Sequence, residues 1–179
     1  MSGHSHAKTI RHQKNITDQK RGQMFSKMAR VISIAVKEGG PNPETNNKLR
    51  AAMEQAKQFN MPKDNIERAV KQATGGEKEA NLEEVIFEAY GPGGIAIIIE
   101  GITDNKNRTL GEIKQILNQY GGKLVGVGGV RWLFEKKPNE WVAKQEIEPT
   151  EKDKESCQKL FEALDDNEAV QEIYSNLKS

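Results

Sequence analysis

The sequence is poor in the residues on which several classes of protein depend. It has one cysteine, Cys157, which cannot form an internal disulfide, and its three histidines all lie within the first twelve residues. No apolar run approaches the roughly 20 residues that cross a bilayer. Aromatic residues make up only 6% of the chain. These shortages argue against a disulfide-stabilised secreted protein and against a membrane protein, so we expect a cytoplasmic location and no membrane partner.

Acidic residues are absent from the start of the chain and scarce in its first half. Residues 1–73 carry fourteen Lys and Arg against six Asp and Glu, whereas residues 74–179 carry thirteen against twenty. The overall charge of +1 therefore hides a basic half of +8 and an acidic half of −7. Such an asymmetry indicates that the basic half binds a polyanion.

Residues 1–16 are predicted to form a flexible basic arm, because they contain too few apolar groups to offset the entropy of ordering. The cations of this arm are Lys8, Arg11 and Lys14. Its histidines, His4, His6 and His12, lack a carboxylate or thiolate nearby in sequence. We therefore interpret them as polar arm residues that gain charge as the pH falls, rather than as a metal site.

Residues 17–76 show helical periodicity and are predicted to form a three-helix basic domain. Thr17 is a candidate N-cap, and the first buried stripe consists of Met24, Met28, Val31, Ile32 and Ala35. Four cations lie off this stripe on the predicted outer face: Lys20, Arg21, Lys27 and Arg30. Asn42 followed by Pro43 predicts the start of a second helix, and Pro62 that of a third. We expect no tight helix-turn-helix turn, so binding is predicted to be to backbone phosphates.

Residues 77–179 change from helical periodicity to strand patterns and are predicted to form an α+β sandwich. The strands are predicted at 85–90, 95–102, 130–135, 141–147 and 169–174, and the helices at about 109–120 and 151–164. From Ile95 onward the order is β, α, β, β, α, β, preceded by one extra strand. This order predicts a ferredoxin-like sandwich built on a split βαβ pattern.

The loop from Asp104 to Thr109 is a second candidate contact for phosphates. It carries Lys106 and Arg108, and Thr109 with Glu112 predicts a capping box at the start of the following helix. The Asp and Asn residues of this loop are equally well explained as turn formers.

Two motifs of the acidic half resemble sites of chemistry but lack the context that such sites need. Gly126, Gly128 and Gly129 precede a predicted strand rather than a helix, which predicts a turn and not a nucleotide loop. Cys157 lies on the apolar stripe of its helix, which predicts a core residue and not a nucleophile. We therefore predict no enzyme activity, no cofactor, no metal and no small-molecule substrate.

Six short motifs occur in a consistent order over residues 1–137. They are Gly3-His4-Ser5, Lys20-Arg21-Gly22 with Phe25, Asn60-Met61-Pro62-Lys63-Asp64 with Ile66-Glu67-Arg68-Ala69, Tyr90-Gly91-Pro92-Gly93-Gly94, Thr103-Asp104-Asn105-Lys106-Asn107-Arg108-Thr109, and Trp132 with Phe134. With these motifs the chain closely resembles the YebC family. That family includes proteins described as transcriptional regulators of the PmpR type and the mitochondrial translational activator of cytochrome c oxidase. The resemblance implies a cytoplasmic, non-enzymatic nucleic-acid-binding regulator.

Two departures from the family pattern stand out. His6 and Ala7 replace the Lys-Trp that usually follows Gly-His-Ser, so an aromatic residue is absent from the arm. The family also has a third domain inserted after the strand that carries Trp132 and Phe134, whereas this chain has four residues there, 137–140. We infer that the inserted domain is missing near residues 137–141.

Three functions remain open from the sequence. The first is a DNA-binding transcriptional regulator, and the second is a translational activator that binds ribosomal or messenger RNA on the ribosome. Both use the same phosphate contacts, so the sequence does not separate them. The third is a scaffold whose acidic half binds protein, which the concentration of basic charge disfavours.

Overall fold

The computed structural model describes residues 6–7, 17–75 and 81–179. These residues divide into two compact units. The three-helix unit comprises residues 17–75 and 81–84 with Ile102–Asn105, and the sheet unit comprises Val85–Gly101 and Lys106–Ser179 with His6 and Ala7.

The three-helix unit is built on one long helix. This helix, α1 (Asp18–Gly39), is capped by the Thr17 hydroxyl, which accepts a hydrogen bond from the Lys20 backbone N–H. Gly40 follows the last helical residue as the C-cap, and its φ of 87° is easily adopted only by glycine. The shorter helices α2 (Asn47–Gln58) and α3 (Lys63–Gly75) both pack against α1. The buried core between them contains Met24, Met28, Ile32, Ala35, Leu49, Ala52, Ala56 and Ile66.

The start of the second helix differs from the sequence prediction. The second helix begins at Asn47, capped by the Asn46 side chain, so the predicted start at Asn42 and Pro43 is wrong. Asn42 instead closes a turn, since its side chain accepts from the Glu44 N–H. The connection between α2 and α3 is four residues long.

The sheet unit contains a four-stranded antiparallel sheet and two helices. Its elements along the chain are β1 (Glu83–Tyr90), β2 (Ala96–Thr103), α4 (Lys106–Gln119), β3 (Lys123–Val125), β4 (Phe134–Lys136), β5 (Trp141–Ala143), α5 (Glu151–Asp165) and β6 (Val170–Ser175). The strand order in the main sheet is β3-β1-β2-β6, while β4 and β5 form a separate two-stranded ribbon. The predicted α+β class is confirmed.

The sheet contains the predicted split βαβ pattern, but with different strands. Strands β2 and β3 are connected through α4, and β1 lies between them, antiparallel to β3. The strands predicted at 130–135 and 141–147 do not join this sheet, because β4 and β5 pair with each other instead. The strand regarded as extra, β1, takes the central position because it pairs with β2 across the tight turn at Pro92–Gly94.

Each face of the sheet is covered by a different layer. Helices α4 and α5 cover one face, in a buried core that includes Phe87, Ile97, Ile99, Ile113, Leu117, Leu160 and Phe161. The β4–β5 ribbon and the segment before it cover the other face, in a smaller core of Ala96, Ile98, Val130, Phe134 and Tyr174. No helix within the described ranges is both long and apolar enough to cross a bilayer.

Candidate nucleic-acid interface

The predicted phosphate contacts of the arm lie outside the described residues. They are Lys8, Arg11 and Lys14. These three positions remain a prediction from the sequence.

The first turns of α1 present two of the predicted cations. Residues 17–19 and 21–23 are exposed, and Lys20 among them is half-buried. The Arg21 side chain is 53% exposed and pairs with Asp18 at 3.3 Å. A pair with both partners this accessible contributes little, so Arg21 can exchange Asp18 for a phosphate at small cost. This end of α1 is therefore the best-placed described part of the predicted footprint.

The middle of α1, residues 27–36, does not present an outer face, which corrects two of the predicted contacts. Lys27 is only 3% exposed, so its ammonium is not available to a phosphate in this conformation. Arg30 is half-buried and donates to the backbone carbonyl of Ile102 at 2.7 Å. The physical reason is that α1 is covered on a further side, where Val31 and Ile34 pack with Leu82 and Ile102.

Lys106 and Arg108 belong to a helix rather than to a loop. Helix α4 begins at Lys106, so the predicted capping box at Thr109 and Glu112 is wrong, and Thr109 is buried inside the helix. Glu112 instead lies 3.6 Å from Arg108 and accepts a hydrogen bond from Asn167. Lys106 is exposed and has no ion-pair partner among the described residues.

Two further cations of the three-helix unit were not predicted as contacts. Arg68 and Lys71 are exposed on α3, one helical turn apart, and neither forms an ion pair within the described part of the chain. Both lie off the buried stripe of Ile66 and Ala69, so the helical period already marked them as surface residues. They are separated in sequence from the continuous basic run of the arm and α1, which is the stronger signal.

His6 occupies a structural position rather than a free one. Its ring stacks on Phe161 at a centroid distance of 4.4 Å, and its Nε2 lies 2.6 Å from the Ser175 hydroxyl. Burial lowers the pKa of His6 to about 4, so it stays neutral near pH 7. The interpretation of His6 as an arm residue that gains charge under mild acid is therefore wrong.

No group of side chains suited to metal binding is found in the described residues. No three His, Cys, Asp or Glu side chains come together there in a way that holds a metal ion. Cys157 is fully buried, and its thiol donates a hydrogen bond to the Pro92 carbonyl. Burial is the main cause that raises the pKa of this thiol to about 11, and the negative charge of the nearby Asp153 is the second. A thiol in this state is a core residue.

These features define a two-unit α+β protein with a basic helical unit. A family model for the TACO1/YebC protein N-terminal domain matches residues 5–76, and one for the TACO1/YebC second and third domain matches residues 82–139. The chain belongs to the TACO1/YebC family.

The chain is also similar to individual relatives and to a solved structure. It is 54% identical over 136 residues to a probable transcriptional regulatory protein of Thermoanaerobacter pseudethanolicus, a match that covers 76% of this chain and 55% of the relative. It is 49% identical over 147 residues to one from Dictyoglomus thermophilum, covering 82% and 59%. The crystal structure of the conserved hypothetical protein Aq1575 from Aquifex aeolicus superposes with a TM-score of 0.81 at 30% identity, covering 90% of this chain and 91% of that one. The chain thus spans a little over half the length of the curated relatives it matches.

Proposed function

We propose that this protein is a non-enzymatic regulator of gene expression that binds nucleic acid through the phosphate backbone, and that duplex DNA is its first target. The observation that carries the proposal is the charge of the three-helix region. Residues 17–75 hold eleven Lys and Arg against six Asp and Glu, and the preceding arm adds three cations without an acid. The relatives named as probable transcriptional regulatory proteins support the regulatory role.

The proposed footprint combines the arm with the exposed end of α1. Lys20 and Arg21 continue the basic run of Lys8, Arg11 and Lys14. Lys27 is left out because it is buried, and Arg30 is left out because it donates a hydrogen bond to the Ile102 carbonyl. Lys106 and Arg108 remain secondary contacts, and Arg68 and Lys71 are added on α3 as exposed cations. Because no base-reading side chain is identified, the proposed binding depends on charge and shape rather than on sequence.

RNA binding in translation is the second candidate function. Trp132 favours it, because its side chain is 63% exposed and aromatic side chains bind unpaired bases by stacking. A duplex keeps its bases stacked on one another and offers none to such a residue. The two functions therefore differ in the form of nucleic acid that each requires.

The phosphate footprint is tested by reversing charge at Lys20 and Arg21. Fluorescence anisotropy with a labelled duplex of about 20 base pairs gives the affinity at salt concentrations from about 50 to 200 mM. We expect the Lys20→Glu/Arg21→Glu variant to bind at least about tenfold more weakly, and its log–log salt slope to be shallower by about two.

A matched variant separates a local footprint from a change in overall charge. Lys152→Glu/Lys159→Glu makes the same net change at two exposed lysines of α5, in an acidic stretch of the chain. We expect this control to keep most of the affinity and the salt slope. Equal losses in both variants would show that the end of α1 is not the contact. A labelled single-stranded RNA measured in parallel tells whether duplex or RNA is preferred.

A further inference from the structure

A loop of the sheet unit, residues 126–131, is held in place by one buried carboxylate. Glu88 projects from β1 and accepts hydrogen bonds from the backbone N–H groups of Gly128, Val130 and Arg131, at 2.8, 3.1 and 2.9 Å. Its other contact is an ion pair with the Arg131 guanidinium at 2.9 Å. Burial by itself raises the pKa of Glu88, but these donors and Arg131 outweigh it and hold the pKa below its ordinary value. The loop is therefore anchored by a charged group at several points along its backbone.

Two glycines of this loop, Gly128 and Gly129, are required by its shape. Gly128 has a φ of 86°, and a Cβ at Gly129 would lie 2.7 Å from the Val125 side chain. The Gly129 N–H donates a hydrogen bond to the Gly126 carbonyl oxygen at 3.0 Å, and this bond closes the turn. Val127 stands at the tip with its side chain 86% exposed. The backbone thus displays an apolar side chain to solvent from a fixed turn.

Two aromatic residues share a contact with this turn. The Trp132 indole N–H donates to the Gly129 carbonyl at 3.1 Å, and the Tyr90 hydroxyl lies 3.5 Å from the same oxygen. Trp132 is 63% exposed although its N–H is satisfied, so its ring is oriented while its apolar surface remains in water. Exposed apolar residues grouped in this way mark a binding surface more often than isolated ones do. We call Tyr90, Val127 and Trp132 the Trp132 surface.

The charge around the Trp132 surface identifies the kind of ligand. Residues 123–144 carry five Lys and Arg against two Glu, whereas residues 145–179 carry four against ten. The exposed lysines of this basic stretch are Lys123, Lys136, Lys137 and Lys144. Lys123 is the strand partner of Tyr90. Aromatic side chains interleaved with exposed lysines form the combination that binds single-stranded nucleic acid.

We propose that the Trp132 surface binds an unpaired stretch of RNA, with a base stacked on the exposed Trp132 ring and flanking phosphates paired with the lysines of residues 123–144. A protein partner does not require this local excess of positive charge, and a duplex offers no free base. RNA is assigned over DNA because loops and single-stranded stretches are where RNA presents its unpaired bases. This inference rests on the second candidate function and deepens it by assigning the RNA-binding surface, and it does not depend on the phosphate contacts proposed for α1.

The test measures the affinity for a labelled, unstructured RNA of about 12 nucleotides and for an RNA duplex of the same sequence. We expect Trp132→Ala to weaken single-strand binding by roughly 5- to 150-fold. Duplex binding should change little, since no base is available to stack. Trp132→Phe keeps an aromatic ring and should restore most of the single-strand affinity.

A matched control and a direct readout complete the test. Leu110→Ala removes another exposed apolar side chain of the sheet unit and should leave RNA binding unchanged.

Ultraviolet crosslinking of RNA that contains 4-thiouridine should recover a peptide that includes Trp132. Circular dichroism first establishes that Trp132→Ala is folded. The proposal is overturned if this variant binds the single strand as tightly as the wild type does. It is also overturned if the variant loses affinity for the duplex and for the single strand equally. Tighter binding of a DNA single strand of the same sequence would overturn the assignment to RNA. The Lys20 and Arg21 reversal is scored on duplex binding, so failure of one proposal is distinguishable from failure of the other.

Discussion

Replacement of Glu88 by glutamine tests whether one buried carboxylate organises the loop at residues 126–131. The Glu88 side chain is 1% exposed, and its two oxygens accept three backbone hydrogen bonds and one from Arg131. Glutamine has nearly the same size but retains only one acceptor oxygen, and its NH₂ group would face N–H donors. We therefore expect at least one backbone N–H to lose its partner.

The expected loss of stability follows from the kinds of contact that are broken. Removing one member of a fully buried ion pair costs about 3–5 kcal/mol, and leaving a buried donor unsatisfied costs about 1–3 kcal/mol. Arg131 is one-third exposed and can regain water, which lowers the cost. We expect Glu88→Gln to reduce the free energy of unfolding of the sheet unit by about 2–4 kcal/mol.

Tryptophan fluorescence during urea unfolding provides a suitable assay, because both tryptophans, Trp132 and Trp141, lie in the sheet unit. Glu135→Gln is the control: this exposed carboxylate of β4 pairs only at the surface with Lys137, and its replacement should leave the urea midpoint unchanged. A Glu88→Gln midpoint equal to that of the wild type would refute the view that Glu88 anchors the loop.

The same variant has a defined pH dependence. The folded pKa of Glu88 is below its ordinary value of 4.5, so the ionised group contributes stability at pH values above the unfolded pKa. That contribution is lost as the pH falls through the folded pKa. The difference between wild type and Glu88→Gln should be constant from neutral pH to roughly one unit above 4.5 and shrink at lower pH. A difference that grows under acid would contradict the assigned direction.

Two further predictions concern the core of the sheet unit and the turn of the three-helix unit. Cys157 is fully buried and has a pKa of about 11, so about one thiol in a thousand should be ionised at pH 8. A disulfide reagent should therefore modify Cys157 slowly in the native protein and rapidly in urea. Rapid stoichiometric reaction of the native protein would contradict this prediction. Asn60 has a φ of 61°, a left-handed backbone conformation that glycine adopts more easily than alanine. Asn60→Ala should therefore destabilise the three-helix unit by about 1 kcal/mol, whereas Asn60→Gly should be nearly neutral. Urea unfolding followed by far-ultraviolet circular dichroism measures both effects, and equal effects would argue against the left-handed backbone.

Local patterns in the sequence were sufficient to locate most helices and strands. The stripe from Met24 to Ala35 and the Thr17 cap predicted α1, and both are present. Strand pairing was predicted less well, because a run of β-branched residues shows that a strand exists but not which strand lies beside it. The three-residue strands β3, β4 and β5 carry too few side chains for an alternating pattern to show. The central place of β1 therefore became visible only in the structure.

The candidate site was predicted in part for a similar physical reason. Arg21 was correctly assigned to an exposed position near the start of α1, whereas Lys20 is half-buried and Lys27 is buried. The apolar run from Val31 to Val36 continues around the helix and was the available sign that α1 is covered on more than one side. The role of Glu88 could not be predicted, because its partners are backbone groups about 40 residues away in sequence.

Residues 137–140, where the sequence predicts that an inserted domain is missing, form a hairpin turn. Strands β4 and β5 pair directly, and the Lys137 N–H donates to the Glu140 carbonyl at 2.8 Å. After this turn the chain returns to the same unit, where β6 pairs with β2 and α5 contributes to the main core. Residues on both sides of the turn therefore complete one sheet without a third domain. We propose that the inserted domain extends from the tip of this ribbon in longer relatives, so that its absence removes no strand from the sheet. On this view the nucleic-acid contacts proposed for α1 and for the Trp132 surface depend only on the two units present here.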